Sequence, residues 1–304
     1  MGLFNAYVAL SGSGGIDLLQ DEPLSRHTSY RIGGTADLFA TCNSVSALMR
    51  CIATLNREGI AWTVLGRGTN VLASDDGYRG CIITLGGEFA RVGVTEGDCI
   101  VAGAGISLAK VVSKALEAGL TGLEDLVGIP GTVGGAIAMD AGTSEEWIGT
   151  RVRDLVVLLP NGSLRRYQAS DIQWGYRSTS IPSDEVVLEV TLQLAPGDES
   201  QISQHMQRRL SNRRRTQPLG RATCGSVFKN PEGDFAARLI QGLGLKGYAQ
   251  GAACVSNEHA NFIINLGGAT AADVIAVMTH VHDEVMAAHG IDLDSEVRLL
   301  GFSS

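Results

Sequence analysis

Apolar residues recurring at helical spacing between polar ones predict the main helices of this chain. Asn43 and Ser44 offer an N-terminal cap for a helix over 45–55. A second, over 108–118, turns Val111, Val112, Ala115 and Leu116 inward. Later stretches read as a polar helix over 201–214, a shorter one over 234–243 and a long one over 271–288. Thr270 with Asp273 makes a reciprocal cap for the long helix, and Val274, Met278, Val281 and Val285 form its buried stripe. Strands are predicted at 61–65 and 185–194, and at 154–159 with 164–167 around an Asn161-Gly162 turn. Short apolar runs at 252–254 and 261–265 complete the set. The order predicts an α+β chain in three lengths, 1–85, 86–200 and 201–304.

Between Asp125 and Asp140 the chain runs Leu-Val-Gly-Ile-Pro-Gly-Thr-Val-Gly-Gly-Ala-Ile-Ala-Met without a charged side chain. Backbone N–H groups with so little side-chain cover suit a bulky anion such as a diphosphate. They equally suit a tightly packed core turn, and one such loop does not decide. A second bare loop, Gly66-Arg67-Gly68-Thr69-Asn70, follows the apolar strand at 61–65. Two cradles point to a large phosphate-bearing cofactor lying across the fold. Neither is a Rossmann fingerprint, because no third glycine and helix follow Gly68 in a βαβ unit.

Composition narrows the partners. A length of 304 residues exceeds a typical single domain, and 44% hydrophobic with 18% charged residues describes a compact chain. The net charge of −8 argues against nucleic acid or an anionic membrane. Arg208, Arg209, Arg213, Arg214 and Arg215 are a local exception, read as the solvated end of a polar helix. No apolar run approaches the roughly 18–20 residues of a membrane span. The start lacks a basic-then-apolar signal, so a cytoplasmic enzyme without membrane insertion is expected. The six cysteines contain no C-x-x-C, which fits buried, reduced thiols. His280 and His282, two apart on a helix, point to different faces, so no metal is expected. Nothing in the pattern requires an oligomer.

Seven motifs, in order, carry a resemblance. They are Tyr30-Arg31-Ile32-Gly33-Gly34; Leu65 to Asn70 with Asp75-Asp76-Gly77; Gly122-Leu123-Glu124 through Gly135; Tyr176-Arg177-Ser178; Gly225-Ser226-Val227-Phe228-Lys229-Asn230-Pro231; Ser256 to Phe262; and Glu296-Val297-Arg298. The chain resembles, over about 22–302, the shorter type of UDP-N-acetylenolpyruvoylglucosamine reductase. The resemblance implies a three-domain flavoprotein. Residues 1–85 and 86–200 would be a two-part FAD-binding region of the vanillyl-alcohol-oxidase type, and 201–304 an α/β substrate-binding domain. It also implies the reaction: NADPH reduces FAD, and the flavin reduces the enolpyruvyl ether of UDP-N-acetylglucosamine to UDP-N-acetylmuramate in peptidoglycan precursor synthesis.

By the same resemblance, Ser226 is the proton donor, and Arg177 and Glu296 stabilise the enolate. FAD contacts are implied for Arg31, Leu65, Gly66, Arg67, Gly68, Thr69, Asn70 and Val71. More are implied for Gly105, Gly128, Ile129, Pro130, Gly131, Thr132, Gly134, Gly135, Ala141, Gly142 and Val187. Tyr176, Lys229 and Asn230 would face the UDP-sugar substrate. The chemistry asks for such groups, because charge building beside the substrate carboxylate needs a cation, hydrogen-bond donors and a proton source. Four positions depart from the family's usual residues: Asp140 for Asn, Cys224 for Ala, Ala249 for Arg and Thr216 for Lys. Two rival readings remain, another non-covalent FAD oxidoreductase on this scaffold and a flavin-binding relative without turnover. The glycine loops hold no histidine to tether FAD. Keeping Arg177, Ser226 and Glu296 together weighs against the second rival.

Overall fold

The computed structural model describes residues 2–143 and 146–302. The chain divides into two compact units, one of residues 1–20, 38–67 and 80–212, the other of 21–37, 68–79 and 213–304. The first unit thus holds most of 1–85 and 86–200, and the second most of 201–304 with two excursions from the first quarter of the chain.

The first unit opens with helix α1, Gly2–Leu10, which the sequence pattern did not predict. Its reason is plain: only Ala6 and Leu10 are buried, while Phe4 and Val8 are exposed, so no apolar stripe signals it. Helix α2, Val45–Arg57, starts where expected, with the Ser44 side chain accepting from the Ala47 amide. Its Leu48, Cys51, Ile52 and Leu55 pack with Leu38, Cys81 and Ile83 into one core. Strand Trp62–Val64 runs parallel to Tyr78–Leu85 in a four-stranded sheet. Leu65, expected to end that strand, lies just past it but still donates its amide to Ile83 O at 2.8 Å.

A second core of this unit lies against a five-stranded antiparallel sheet, ordered Leu164–Gln168, Val152–Leu158, Val186–Gln193, Cys99–Gly103, Val92–Thr95. The predicted hairpin is present, with Leu158 opposite Leu164 and Gly162 at φ +84°, a conformation that favours glycine. Helix α3, Leu108–Glu117, buries Leu108, Val111, Val112 and Ala115 there, with Leu116 half-buried. Helix α4, Val133–Ala138, is capped by the Thr132 side chain. Helix α5, Glu199–Thr216, packs Met206 and Leu210 on the same core. Of its arginine run, Arg208, Arg214 and Arg215 are exposed, but Arg209 turns inward with His205 onto the Asp125 carboxylate.

In the second unit, Tyr30, Ile32 and Leu72 join residues of 224–297 in a single core. Strand Val71–Ala73 pairs in parallel with Arg298–Leu300. Ala249–Gln250, Ala253–Val255 and Ile263–Asn265 form a small antiparallel sheet. Helix α6 spans Ala236–Gly242; it begins two residues later than predicted, because the Asp234 carboxylate takes the Phe235 amide at 2.6 Å. Helix α7, Ala271–His289, carries the predicted Thr270–Asp273 box and ends on Gly290 at φ +67°. Its predicted stripe is buried throughout. His280 stacks on Tyr248, whereas His282 sits between Asp283 and Asp292, so the two do face different ways.

Asp75 adds a cap that local sequence does not reveal. Its two carboxylate oxygens accept from the Ala271 and Ala272 amides at 2.8 and 3.1 Å. An anion at a helix N-terminus satisfies free donors and meets the helix dipole. Asp75→Ala should lower stability to urea by about 1–2 kcal/mol without changing the far-ultraviolet dichroism at low denaturant. A loss below about 0.3 kcal/mol would show that the Thr270 box suffices.

Candidate functional site

The two glycine loops meet inside the first unit. A Cβ built on Gly66 would stand 2.6 Å from Thr132 Oγ1, so that approach requires glycine. Much of the second loop is consumed by the fold. Val133 donates to Ile106 O, Gly134 to Ala104 O, and Gly135 to Thr132 Oγ1 at 2.9, 2.8 and 3.2 Å. These amides are structural, which corrects the picture of one uncommitted ribbon from 126 to 139. Among the described residues, the amides of Gly66, Arg67, Gly128, Gly131 and Thr132 have no protein acceptor. Five open donors on two abutting loops fit the diphosphate of a dinucleotide. Gly131 holds φ +126°, a conformation closed to side-chain-bearing residues. Gly131→Val should therefore yield folded protein with a reduced flavin-to-protein absorbance ratio; a wild-type ratio would exclude this loop as the cradle.

Other residues expected near FAD have varied surroundings. Arg31 is exposed at φ +56°. Gly68 in the second unit is buried, with its carbonyl accepting from Ser29 N at 3.0 Å. Thr69, Asn70 and Val71 follow it half-buried. Gly105 packs on the backbone, a Cβ there lying 2.2 Å from Leu85 O. Gly142 likewise faces Glu146 O. Ile129 donates to Leu126 O, Pro130 is exposed, Ala141 donates to Ala136 O, and Val187 pairs with Val157 in the sheet.

Tyr176 and Arg177 form the two-residue turn between strands Trp174–Gly175 and Ser178–Thr179, also in the first unit. Arg177 adopts φ +58°, and its guanidinium lies 5.2 Å from the centroid of the exposed Tyr176 ring. A left-handed arginine at a turn costs free energy that surrounding contacts must offset.

Ser226 and Glu296 come together in the second unit. Ser226 bridges to Phe262, the Val227 amide donates to Asn261 O, and the Glu296 amide donates to Val227 O at 2.8 Å. Asn70 Nδ2 donates to Glu296 O at 3.0 Å, so a residue of the first glycine loop anchors the Glu296 backbone. Beneath them lie the Tyr30 phenol and the Cys224 thiol. Burial raises Tyr30 well above its ordinary range, reinforced by Cys224. Burial also pushes the thiol up to about 12. Both groups are neutral at physiological pH, so Cys224 acts as a small apolar filler rather than a nucleophile.

Lys229 and Asn230 follow in the same segment. The Lys229 ammonium is 3.7 Å from Asp294, while Asn230 Oδ1 accepts from the Ala236 amide at 3.1 Å and starts α6. Sequence reasoning missed Asn261, whose side chain accepts from Phe228 N at 3.0 Å and donates to Phe228 O at 2.8 Å. Asn261 lay within a motif, but nothing in its local pattern shows a bond 33 residues back. Ala249 lies in the strand Ala249–Gln250, opposite Cys254. Among the described residues, no His, Cys, Asp or Glu group of three or more is arranged to hold a metal, and no helix is long and apolar enough to cross a membrane.

Residues 36–168 match the model of an FAD binding domain, and together with the open amides this defines an FAD-dependent oxidoreductase. Residues 217–300 match UDP-N-acetylenolpyruvoylglucosamine reductase, C-terminal domain. A UDP-N-acetylenolpyruvoylglucosamine reductase of Heliobacterium modesticaldum is 42% identical over 94% of this chain and 91% of its own. One of Symbiobacterium thermophilum is 42% identical over 92% and 91%. The crystal structure of UDP-N-acetylenolpyruvylglucosamine reductase from Thermus caldophilus matches with TM-score 0.83 and 33% identity, covering 94% of this chain and 98% of that one. A Phl p 4 variant, a glucose oxidase, shares the fold alone, with TM-score 0.50 at 15% identity over 64% of this chain and 44% of its own. The chain belongs to the UDP-N-acetylenolpyruvoylglucosamine reductase family, FAD-dependent enzymes of peptidoglycan precursor synthesis.

Proposed function

We propose that this chain catalyses the NADPH-dependent reduction of UDP-N-acetylglucosamine enolpyruvate to UDP-N-acetylmuramate, in the cytoplasm. In this reading 1–85 and 86–200 hold FAD and 201–304 holds the UDP-sugar. The observation that carries it is the joining of Ser226 and Glu296 through the Val227 carbonyl, within a chain of this family. FAD would be held by the open amides of Gly66, Arg67, Gly128, Gly131 and Thr132, and when bound it would pass on the hydride that NADPH provides.

The remaining work falls to side chains. As hydride reaches the terminal carbon of the enolpyruvyl group, negative charge builds on the neighbouring carbon and its carboxylate. Arg177 places a permanent positive charge where that charge develops. Glu296, in its protonated form, donates a hydrogen bond to the same carboxylate. Ser226 gives its hydroxyl proton to the carbanionic carbon, and its weak acidity is matched by the strong basicity of that carbon. Tyr176, Lys229 and Asn230 face the sugar nucleotide.

Purified protein should be yellow and should consume NADPH only when the enolpyruvyl sugar nucleotide is present. Colourless protein that takes up no added FAD would overturn the reading. Glu296→Gln keeps a neutral donor and should slow reduction of the substrate by less than about tenfold, whereas Glu296→Ala should cost about 10²–10³-fold. Equal losses in the two variants would remove the hydrogen-bonding role.

A further inference from the structure

Asp140 is an acidic residue placed where acids are seldom found. It is 5% exposed, and its backbone sits at φ +39° directly after α4. Its Oδ1 accepts the Gly149 amide at 2.9 Å. A Cβ on Gly149 would lie 2.5 Å from Trp174 Cε3 and 2.8 Å from Asp140 Oδ1, so carboxylate, glycine and indole are packed in direct succession. Trp174 opens the short hairpin whose turn is Tyr176-Arg177, and its Nε1 donates to Ala169 O at 3.2 Å. Helix α4 itself packs on the returning strand, Ser178–Thr179. The hairpin that carries Arg177 is therefore seated, through Gly149 and Trp174, on the Asp140 side chain.

The electrostatics agree with this geometry. Burial raises the Asp140 carboxyl above its ordinary range, opposed by the Gly149 N–H and by the charge of Arg177. Arg177 is thus close enough for its guanidinium to favour the ionised carboxylate. A buried acid that only closed a turn would be served as well by a neutral amide, which accepts the same N–H. The charge adds something an amide lacks, a counter-charge for an arginine held in a left-handed turn.

We propose that Asp140 is a positioning residue for Arg177, seating the Trp174–Thr179 hairpin through the Gly149 amide and giving the guanidinium a nearby counter-charge. The proposal rests on the role given above to Arg177. Asp140 does not touch substrate; it fixes where the positive charge stands when the enolpyruvyl carboxylate arrives. Replacing it should alter reduction of the substrate rather than delivery of hydride to the flavin.

The test uses flavin-loaded protein and anaerobic stopped-flow absorbance to time the two half-reactions separately. In Asp140→Asn, which keeps the Gly149 acceptor and removes the charge, the second half-reaction should slow about tenfold relative to the first. Combining it with Arg177→Lys should add less than the product of the single effects. An unchanged ratio of the two rates, or effects that multiply, would overturn the proposal. Asp140→Ala, which also abandons the Gly149 amide, should unfold at a lower urea midpoint than Asp140→Asn; equal midpoints would count against the seating contact. If the wild-type protein does not reduce the enolpyruvyl substrate, the reading of Arg177 fails on its own. Urea unfolding of Asp140→Asn, Arg177→Gln and the double variant then decides. Non-additive losses support the pairing, and additive ones sink it.

Discussion

Ser226→Ala is expected to leave NADPH-driven reduction of the bound flavin intact while slowing reduction of the enolpyruvyl substrate by about 10²–10⁴-fold. The selectivity follows from how Ser226 is held. Its neighbours are fixed by main-chain bonds, with Val227 N on Asn261 O and Glu296 N on Val227 O. No hydrogen bond from the Ser226 hydroxyl to another described residue maintains the fold. Removing the hydroxyl takes away a proton and little else. Single-turnover absorbance, recording first the bleaching and then the return of the flavin band, separates the two steps. A second step at wild-type speed would remove Ser226 from the mechanism.

Asn261→Ala should cost about 2–5 kcal/mol of stability. Asn261 is 4% exposed and Phe228 is equally hidden, so both main-chain groups of Phe228 would lose their partners away from water. Each stranded group carries a desolvation penalty of about 1–3 kcal/mol. Activity should fall with stability, because Phe228 lies in the segment that also presents Ser226 and Lys229. Asn261→Asp offers a control. It retains an acceptor for the Phe228 amide but sets a carboxylate against the Phe228 carbonyl, and should be at least as damaging. Urea unfolding checks both; a loss under about 1 kcal/mol for the alanine would show that Phe228 finds water or another partner.

These helices were legible because burial repeats at their period: α2 and α7 start on the capping residues that the sequence advertises, α3 starts where its apolar spacing does, and their apolar stripes are buried or half-buried. Helix α1 escaped because its apolar residues surround the axis, leaving Phe4 and Val8 in solvent. The glycine loops were legible as bare backbone, yet sequence does not say which amides the fold itself consumes. That depended on Ala104 and Ile106, which lie far from the loop in the chain and adjacent to it in the core. Likewise Asp75, Asn70 and Asn261 act on partners 196, 226 and 33 residues away, beyond any local period. The site residues named by resemblance were found as motifs, but the bonds that seat them are long-range and became visible only in three dimensions.

The parallel pairing of Val71–Ala73 with Arg298–Leu300 sets a timetable for biosynthesis. A ribosome makes the first strand of that pair long before the second, so the early partner must wait, with unmet main-chain donors and acceptors, until Arg298–Leu300 has been made. Maturation of the second unit is thereby tied to synthesis of its late strand. A stop before Arg298 would leave Val71–Ala73, made far earlier, without its partner.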